Sequence, residues 1–173
     1  MNKLDANDQK MTFCHDICST KQTDMDRIVE NNDIIYMREA LREAQAAARD
    51  GEIPIGAVIV SNGVIIAKAH NMTEQLQDTT AHAEMLAITS ATGFLGSKYL
   101  TRCTLYVTVE PCPMCAAALC WSQIARVVYG AADPKRGYSR FSPSLLHPKT
   151  EIFAGVLQDE CSAIITDFFK KIR

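Results

Sequence analysis

The 173-residue sequence contains no apolar run that approaches the roughly 20 residues needed to cross a bilayer. Residues 1–10 are polar and lack the apolar stretch that is typical of a signal peptide. These two absences argue against a membrane protein and against a secreted one. We therefore expect a cytoplasmic protein with no membrane partner.

An excess of charge of one sign is also absent. The sequence has 18 Lys and Arg against 20 Asp and Glu, a net charge of -2. Nucleic-acid-binding proteins usually show a basic excess, so the total charge does not indicate one. The distribution is uneven, however, because residues 126–173 carry eight cations: Arg126, Lys135, Arg136, Arg140, Lys149, Lys170, Lys171 and Arg173. A local patch can hold phosphates, so the composition permits a nucleic-acid partner without predicting one.

The seven cysteines do not fit a secreted disulfide framework, since their number is odd and no signal peptide precedes them. Cys112, Cys115 and Cys120 fall within nine residues of one another. In a reducing compartment this spacing indicates metal or redox chemistry. Cys103, Cys120 and Cys161 lie in apolar surroundings, which favours small core residues.

The chain divides by character into two parts, with no repeats and no low-complexity linker. Residues 1–32 are polar without sustained periodicity, which predicts a flexible or weakly helical extension. Cys14, His15 and Cys18 within it could contribute to a metal site, but more ligands would be needed, and free thiols are the favoured interpretation. Residues 33–173 have the composition and length of one globular domain.

Residues 33–173 alternate between helical and strand patterns. A stripe of apolar and small residues over residues 35–50 predicts a helix that Gly51 ends. Two β-branched runs flank Ser61-Asn62-Gly63, which predicts an antiparallel hairpin. Asp78, Thr79 and Thr80 are candidate N-caps for a helix through residues 81–91.

The same alternation continues to the C-terminus. We expect a strand at residues 103–109, a short helix at 113–124, strands at 125–131 and 150–156, and a helix from about 158 to 171. This order implies a layered α/β sheet.

Two short motifs fall at the starts of predicted helices. The first is Ala81-His82-Ala83-Glu84, and the second is the segment Glu110–Cys115, EPCPMC. Together they form the H-x-E and P-C-x-x-C signature of zinc deaminases. Either motif alone is weak, because Cys-x-x-Cys also occurs in redox pairs and structural zinc sites.

Physical chemistry supports the combination. Cys112 and Cys115 are three residues apart at a helix start, where they can bind one ion and where the helix dipole favours thiolates. With His82 they provide three ligands, which leaves one coordination position open, as in catalytic zinc sites. Glu84 would then move protons, as base and then as acid. For His82 and Glu84 to reach one ion, the first turns of the two helices must meet.

From about Tyr36 onward the chain resembles the bacterial tRNA-specific adenosine deaminases. The matching segments are GEIPIGAVIV, TAHAEMLAI, TLYVTVEPCPMCAAAL, IARVVYGAAD and GVLQDECSAIITDFF. The resemblance implies a three-layer cytidine-deaminase-like fold, a five-stranded mixed sheet with helices on both faces, and a homodimer. It implies conversion of adenosine to inosine at the wobble position, with the tRNA anticodon loop as partner.

The resemblance also assigns roles to individual residues. It implies that His82, Cys112 and Cys115 bind one Zn²⁺ and that Glu84 is the proton shuttle. Asn71 matches an asparagine that contacts the target nucleotide, and Asp133 matches an aspartate beside its ribose. Structural roles compete with both last assignments, since Asn71 could cap the hairpin and Asp133 could start a turn.

The segment after Asp133, PKRGYSRFSPSLLHPKT, departs from the glycine-rich stretch of the family. Arg136, Tyr138, Arg140 and Phe141 combine cations with stackable rings, which suits an RNA loop with splayed bases. An aromatic residue here is also typical of a core or dimer contact.

Two other functions fit the same motifs. One is deamination of a free base or nucleoside such as guanine or cytosine, because contacts around the pocket choose the substrate. The other is a non-catalytic partner subunit in which zinc is structural. Glu84 and the open coordination position argue against the second.

Overall fold

Helix α1 covers residues 31–49 of the computed structural model, which describes residues 31–141 and 145–172. It is already helical at residue 31, earlier than predicted. The predicted helix began later because residues 31–33 are polar and carry no apolar stripe. Gly51 follows its end with a φ of 79°, as expected for a residue that ends a helix. The extension, with Cys14, His15 and Cys18, falls almost wholly outside the described residues, so its boundary stays a prediction.

An antiparallel hairpin forms one side of the sheet. Strand β1 is Gly56–Ser61 and strand β2 is Val64–His70. Asn62 and Gly63 connect them with φ angles of 49° and 77°, the left-handed conformations that a two-residue hairpin turn requires. The predicted hairpin is therefore present, with β1 beginning at Gly56.

Three further strands complete the sheet: β3 is Cys103–Val109, β4 is Arg126–Ala131 and β5 is Glu151–Ala154. The strand order is β2-β1-β3-β4-β5. β1 is antiparallel to both β2 and β3, whereas β3, β4 and β5 run parallel. This confirms the predicted five-stranded mixed sheet.

Three more α-helices are present in the described residues: α2 is Ala83–Leu95, α3 is Pro113–Trp121 and α4 is Gln158–Lys171. Ile59 of β1 belongs to a buried cluster with residues of α2 and α3. Val58, the preceding residue, belongs to a second cluster with residues of α1 and α4. Because neighbouring strand residues point to opposite faces, the helices cover both faces in pairs, and the three-layer fold is confirmed.

The predicted start of α2 and the predicted end of α3 were wrong. The N-cap of α2 is His82, and Asp78 instead accepts hydrogen bonds from the backbone and hydroxyl of Thr80 in the preceding loop. Helix α3 stops at Trp121, because Gln123 adopts a left-handed φ of 52°. In both places a short-range turn competes with the helical pattern.

None of the helices in the part of the chain that the structure describes combines the length and the apolar character that a bilayer crossing requires.

The packing of α1 on β1 predicts a strict requirement for glycine at position 56. A Cβ atom there would lie 2.1 Å from the carbonyl oxygen of Ala40 and 2.4 Å from the backbone nitrogen of Ala44. Both are backbone atoms that cannot rotate away. We expect Gly56→Ala to destabilise the protein by more than the ~1–3 kcal/mol of ordinary overpacking, measured by thermal unfolding.

Gly93→Ala is the matched control. Position 93 lies within α2, and an added Cβ meets no atom within 4 Å. Alanine should stabilise this helix by about 0.5–1 kcal/mol. A Gly56→Ala protein that melted at the wild-type temperature would contradict the close approach of α1 and β1.

Candidate active site

The N-termini of α2 and α3 meet beside the sheet. His82 is the N-cap of α2 and Cys112 is the N-cap of α3, both with extended backbone conformations. Neither side chain makes a capping hydrogen bond, so both are available for other partners. Pro113 occupies the first turn of α3, where its missing N–H costs nothing.

Three candidate ligand atoms converge at this point. The Nδ1 atom of His82 lies 3.7 Å from the Sγ of Cys112 and 3.5 Å from the Sγ of Cys115. One ligand atom from each residue lies within 4.8 Å of the others. Atoms that bind one tetrahedral ion at about 2.0–2.3 Å are separated by roughly 3.5 Å. The three residues therefore form a possible metal-binding triad.

Hydrogen bonds within the triad shift the pKa of all three of its members. The hydrogen bond from Cys115 lowers the pKa of Cys112 to about 4, so Cys112 is a thiolate at neutral pH. The same hydrogen bond, together with burial, raises the pKa of Cys115. The hydrogen bond with Cys112 likewise raises the pKa of His82. A bound cation would replace the shared protons, because metal ligands bind in their deprotonated forms.

Glu84 lies in the first turn of α2 and is only 3% exposed. Burial raises the pKa of its carboxyl group. Its Oε2 atom has no hydrogen-bond partner among the described residues. A buried carboxyl oxygen without a partner is costly, and such groups concentrate at sites of chemistry.

A cavity of about 690 Å³ connects these groups. His82, Cys112 and Glu84 line it, and so do Asn71 and Asp133. The volume is in the range of small-molecule sites. The structure thus brings these predicted site residues to one cavity, and Cys115, the third member of the triad, is buried and does not line it.

Asn71 follows β2 and is 3% exposed. Its backbone N–H donates to the carbonyl of Ile55, and its side-chain nitrogen donates to Glu52 at 2.9 Å. It does not merely cap the hairpin, because its side chain reaches a buried carboxylate and the cavity wall.

Asp133 lies in the loop after β4. Its Oδ1 accepts hydrogen bonds from the backbone N–H groups of Lys135 and Arg136, both at 2.9 Å. The predicted turn is therefore present at Asp133. Lys135 and Arg136 also line the cavity and bring positive charge to its rim.

The aromatic residues of the same loop have different environments. Tyr138 is 5% exposed and packs edge to face on Tyr129, so it is a core residue. Phe141 is 50% exposed. Only Phe141 of the two presents a ring that solvent or a partner can reach.

Glu110 is a functional candidate that the sequence interpretation missed, although it belongs to the EPCPMC motif. It is 5% exposed, and its carboxylate accepts the backbone N–H groups of Asp133 at 3.0 Å and Ser139 at 2.9 Å. A Cβ on Gly137 would lie 2.3 Å from this carboxyl group. Glu110 therefore ties the loop after β4 to the end of β3. Its position directly before Pro111-Cys112 was the available signal.

Glu52 was also missed. It is 1% exposed and accepts hydrogen bonds from the loop after β2. In the sequence, Glu52 lies in a Gly-Glu-Ile-Pro segment between α1 and β1, where a solvent-exposed acidic residue of a turn is equally expected.

Comparisons with known proteins agree with this geometry. The MafB19-like deaminase family matches residues 31–173. The tRNA-specific adenosine deaminase of Bacillus subtilis (strain 168) is 49% identical over 146 residues, which is 82% of this chain and 91% of the relative.

Two solved structures give further comparisons. One comes from a study of A-to-I editing by tRNA:A34 deaminases at the wobble position of transfer RNA. It matches with a TM-score of 0.71 and 41% identity, over 75% of this chain and 97% of that one. A guanine deaminase from Bacillus subtilis matches with a TM-score of 0.55 and 41% identity, over 57% of this chain and 63% of that one.

The triad predicts that metal binding requires Cys115 in particular, and does not depend on the number of cysteines in the chain. We expect purified full-length protein to carry about one transition-metal ion per chain and Cys115→Ser to carry only a small fraction of it, because one ligand is lost. Elemental analysis by mass spectrometry measures this. Cys120→Ser is the control, since Cys120 is on the same helix outside the triad and should keep its metal. Equal loss from both variants would contradict the triad.

Proposed function

This chain belongs to the MafB19-like deaminases and to the tRNA-specific adenosine deaminases, and on that premise we propose that it converts adenosine to inosine at the wobble position of a tRNA anticodon. The observation that carries the proposal is the buried carboxyl of Glu84, whose Oε2 has no partner among the described residues, beside the triad His82, Cys112 and Cys115. A carboxyl group held next to a metal site is what hydrolytic deamination requires.

His82, Cys112 and Cys115 would hold one zinc ion. One imidazole and two thiolates suit zinc, and three protein ligands are typical of catalytic rather than structural sites. When bound, zinc supplies a water whose pKa is lowered towards ~7, so that it can attack at neutral pH.

Glu84 would carry the protons of the reaction. Water oxygen forms a bond to C6 of adenine while Glu84 takes a water proton and delivers it to N1. Glu84 then transfers the remaining proton of the same water to the amine. The C6–N6 bond breaks, ammonia leaves and inosine is formed. Burial raises the pKa of Glu84, so its carboxylate is a stronger base toward the water proton and keeps that proton until it is delivered to the adenine base.

The tRNA substrate is supported by the rim of the cavity and by the relatives. Lys135 and Arg136 place cations there, where a phosphate backbone would pass, although the chain as a whole has a net charge of -2. The relative with 49% identity is a tRNA-specific adenosine deaminase. The match to the guanine deaminase covers less of the chain, so a free base is the second candidate. A non-catalytic subunit is disfavoured by the presence of Glu84.

The homodimer and the cytoplasmic location remain predictions. The dimer is inferred from the family resemblance, and gel filtration of the purified chain would measure it.

An anticodon stem-loop RNA with adenosine at the wobble position tests the activity. We expect inosine from the wild type and a loss of about 10²–10⁴-fold in kcat for Glu84→Gln, because the proton shuttle is removed. Metal content should stay unchanged, since Glu84 is not a ligand. Inosine is measured by nuclease digestion and chromatography.

The control substrates are free guanine, cytosine and their nucleosides. Zinc-loaded wild type that makes no inosine but deaminates one of these would overturn the tRNA assignment. Glu84→Gln turning over at the wild-type rate would overturn the role of Glu84.

A further inference from the structure

The carboxylate of Glu52 organises the loop that follows β2. Its Oε1 atom accepts the backbone N–H groups of Glu74 at 2.9 Å and Gln75 at 2.8 Å. Its Oε2 atom accepts the side-chain nitrogen of Asn71 at 2.9 Å and the hydroxyl of Thr73 at 3.2 Å. All four contacts are made by donors, so this buried group is fully satisfied as a carboxylate. Glu52 itself does not line the cavity, whereas Asn71 and Thr73 do.

These contacts fix which end of the Asn71 amide meets Glu52. A carboxylate can only accept, so the NH₂ group must point at it. The same nitrogen lies 3.0 Å from the Thr73 hydroxyl, which donates its own proton to Glu52 and can therefore accept one. Both protons of the NH₂ group are thus used. The Oδ1 atom of Asn71 receives no hydrogen bond from the described residues and is the free polar atom of the side chain.

We propose that Glu52 is a positioning residue that presents Asn71 to the substrate through its amide oxygen, so that the substrate must offer a hydrogen-bond donor at this point. A hydroxyl or an N–H group meets that requirement, and a ring nitrogen with only a lone pair does not. The inference rests on the proposed function only in taking this cavity as the substrate site.

Glu52→Gln provides a sharp test, because glutamine has nearly the same shape. The backbone N–H groups of Glu74 and Gln75 still require an acceptor, so the new amide oxygen should face them. The new NH₂ group then faces Asn71 and turns its amide over, which presents NH₂ instead of oxygen to the substrate. We expect kcat/KM for the stem-loop RNA to fall roughly tenfold or more, since a donor then meets a donor.

A double-mutant cycle separates positioning from simple stability. If Glu52 acts through Asn71, Glu52→Gln should change kcat/KM less than about twofold in an Asn71→Ala background. Equal losses in both backgrounds would overturn the proposal. Glu43→Gln is the control, because Glu43 is on α1, contacts His70 and does not line the cavity. It should keep kcat/KM within about twofold of the wild type.

A second measurement does not depend on activity. In nuclear magnetic resonance spectra, the side-chain NH₂ protons of Asn71 should exchange with solvent far more slowly than those of exposed Asn62, and Glu52→Gln should speed their exchange. Equal exchange at Asn71 and Asn62 in the wild type would overturn the inference. Absence of inosine from the wild type would count against the proposed function alone, since the exchange experiment still tests Glu52.

Discussion

The meeting of two helix N-termini is the constraint on which the rest of this structure depends. His82 and Cys112 are both N-cap residues, so the first turns of α2 and α3 must come within a few ångströms for Nδ1 and Sγ to lie 3.7 Å apart. The sheet makes this possible, because β3 is antiparallel to β1 and parallel to β4 and ends three residues before Cys112. The free N–H groups of both helices favour the thiolate charge there.

Two buried carboxylates hold the loops on either side of this centre. Glu52 binds the loop after β2, and Glu110 binds the loop after β4. Both carboxylates accept backbone N–H groups of these loops, and such charge-assisted hydrogen bonds are stronger than those between neutral groups. The two candidate substrate contacts, Asn71 and Asp133, each receive their position from one of these acids.

The sequence predicted that His82, Cys112 and Cys115 come together, because they belong to motifs with fixed spacing at helix starts. The same motifs bring Glu84 to the cavity that His82 and Cys112 line. The five-stranded mixed sheet was expected from the family resemblance, whereas the strand order was not predicted, since periodicity alone defines strands but not their neighbours. The sequence did not predict Glu52, because the burial of a lone acid depends on donors that arrive from residues 71–75, about twenty positions away. The error at Asp78 has a related cause. Asp78 is a good capping residue by type, but a local turn uses its oxygen before the helix begins.

The placement of candidate metal ligands at N-cap positions has a consequence for evolution and engineering. Most helices place Ser, Asp or Asn at the N-cap, which contributes typically ~1 kcal/mol. Here α2 and α3 lack a side-chain cap, because the candidate ligands His82 and Cys112 occupy those positions. A search for more heat-resistant variants that scored helix ends alone would favour replacing both residues. It would thereby remove two of the three candidate metal ligands. Any gain in heat resistance must therefore come from other parts of the molecule.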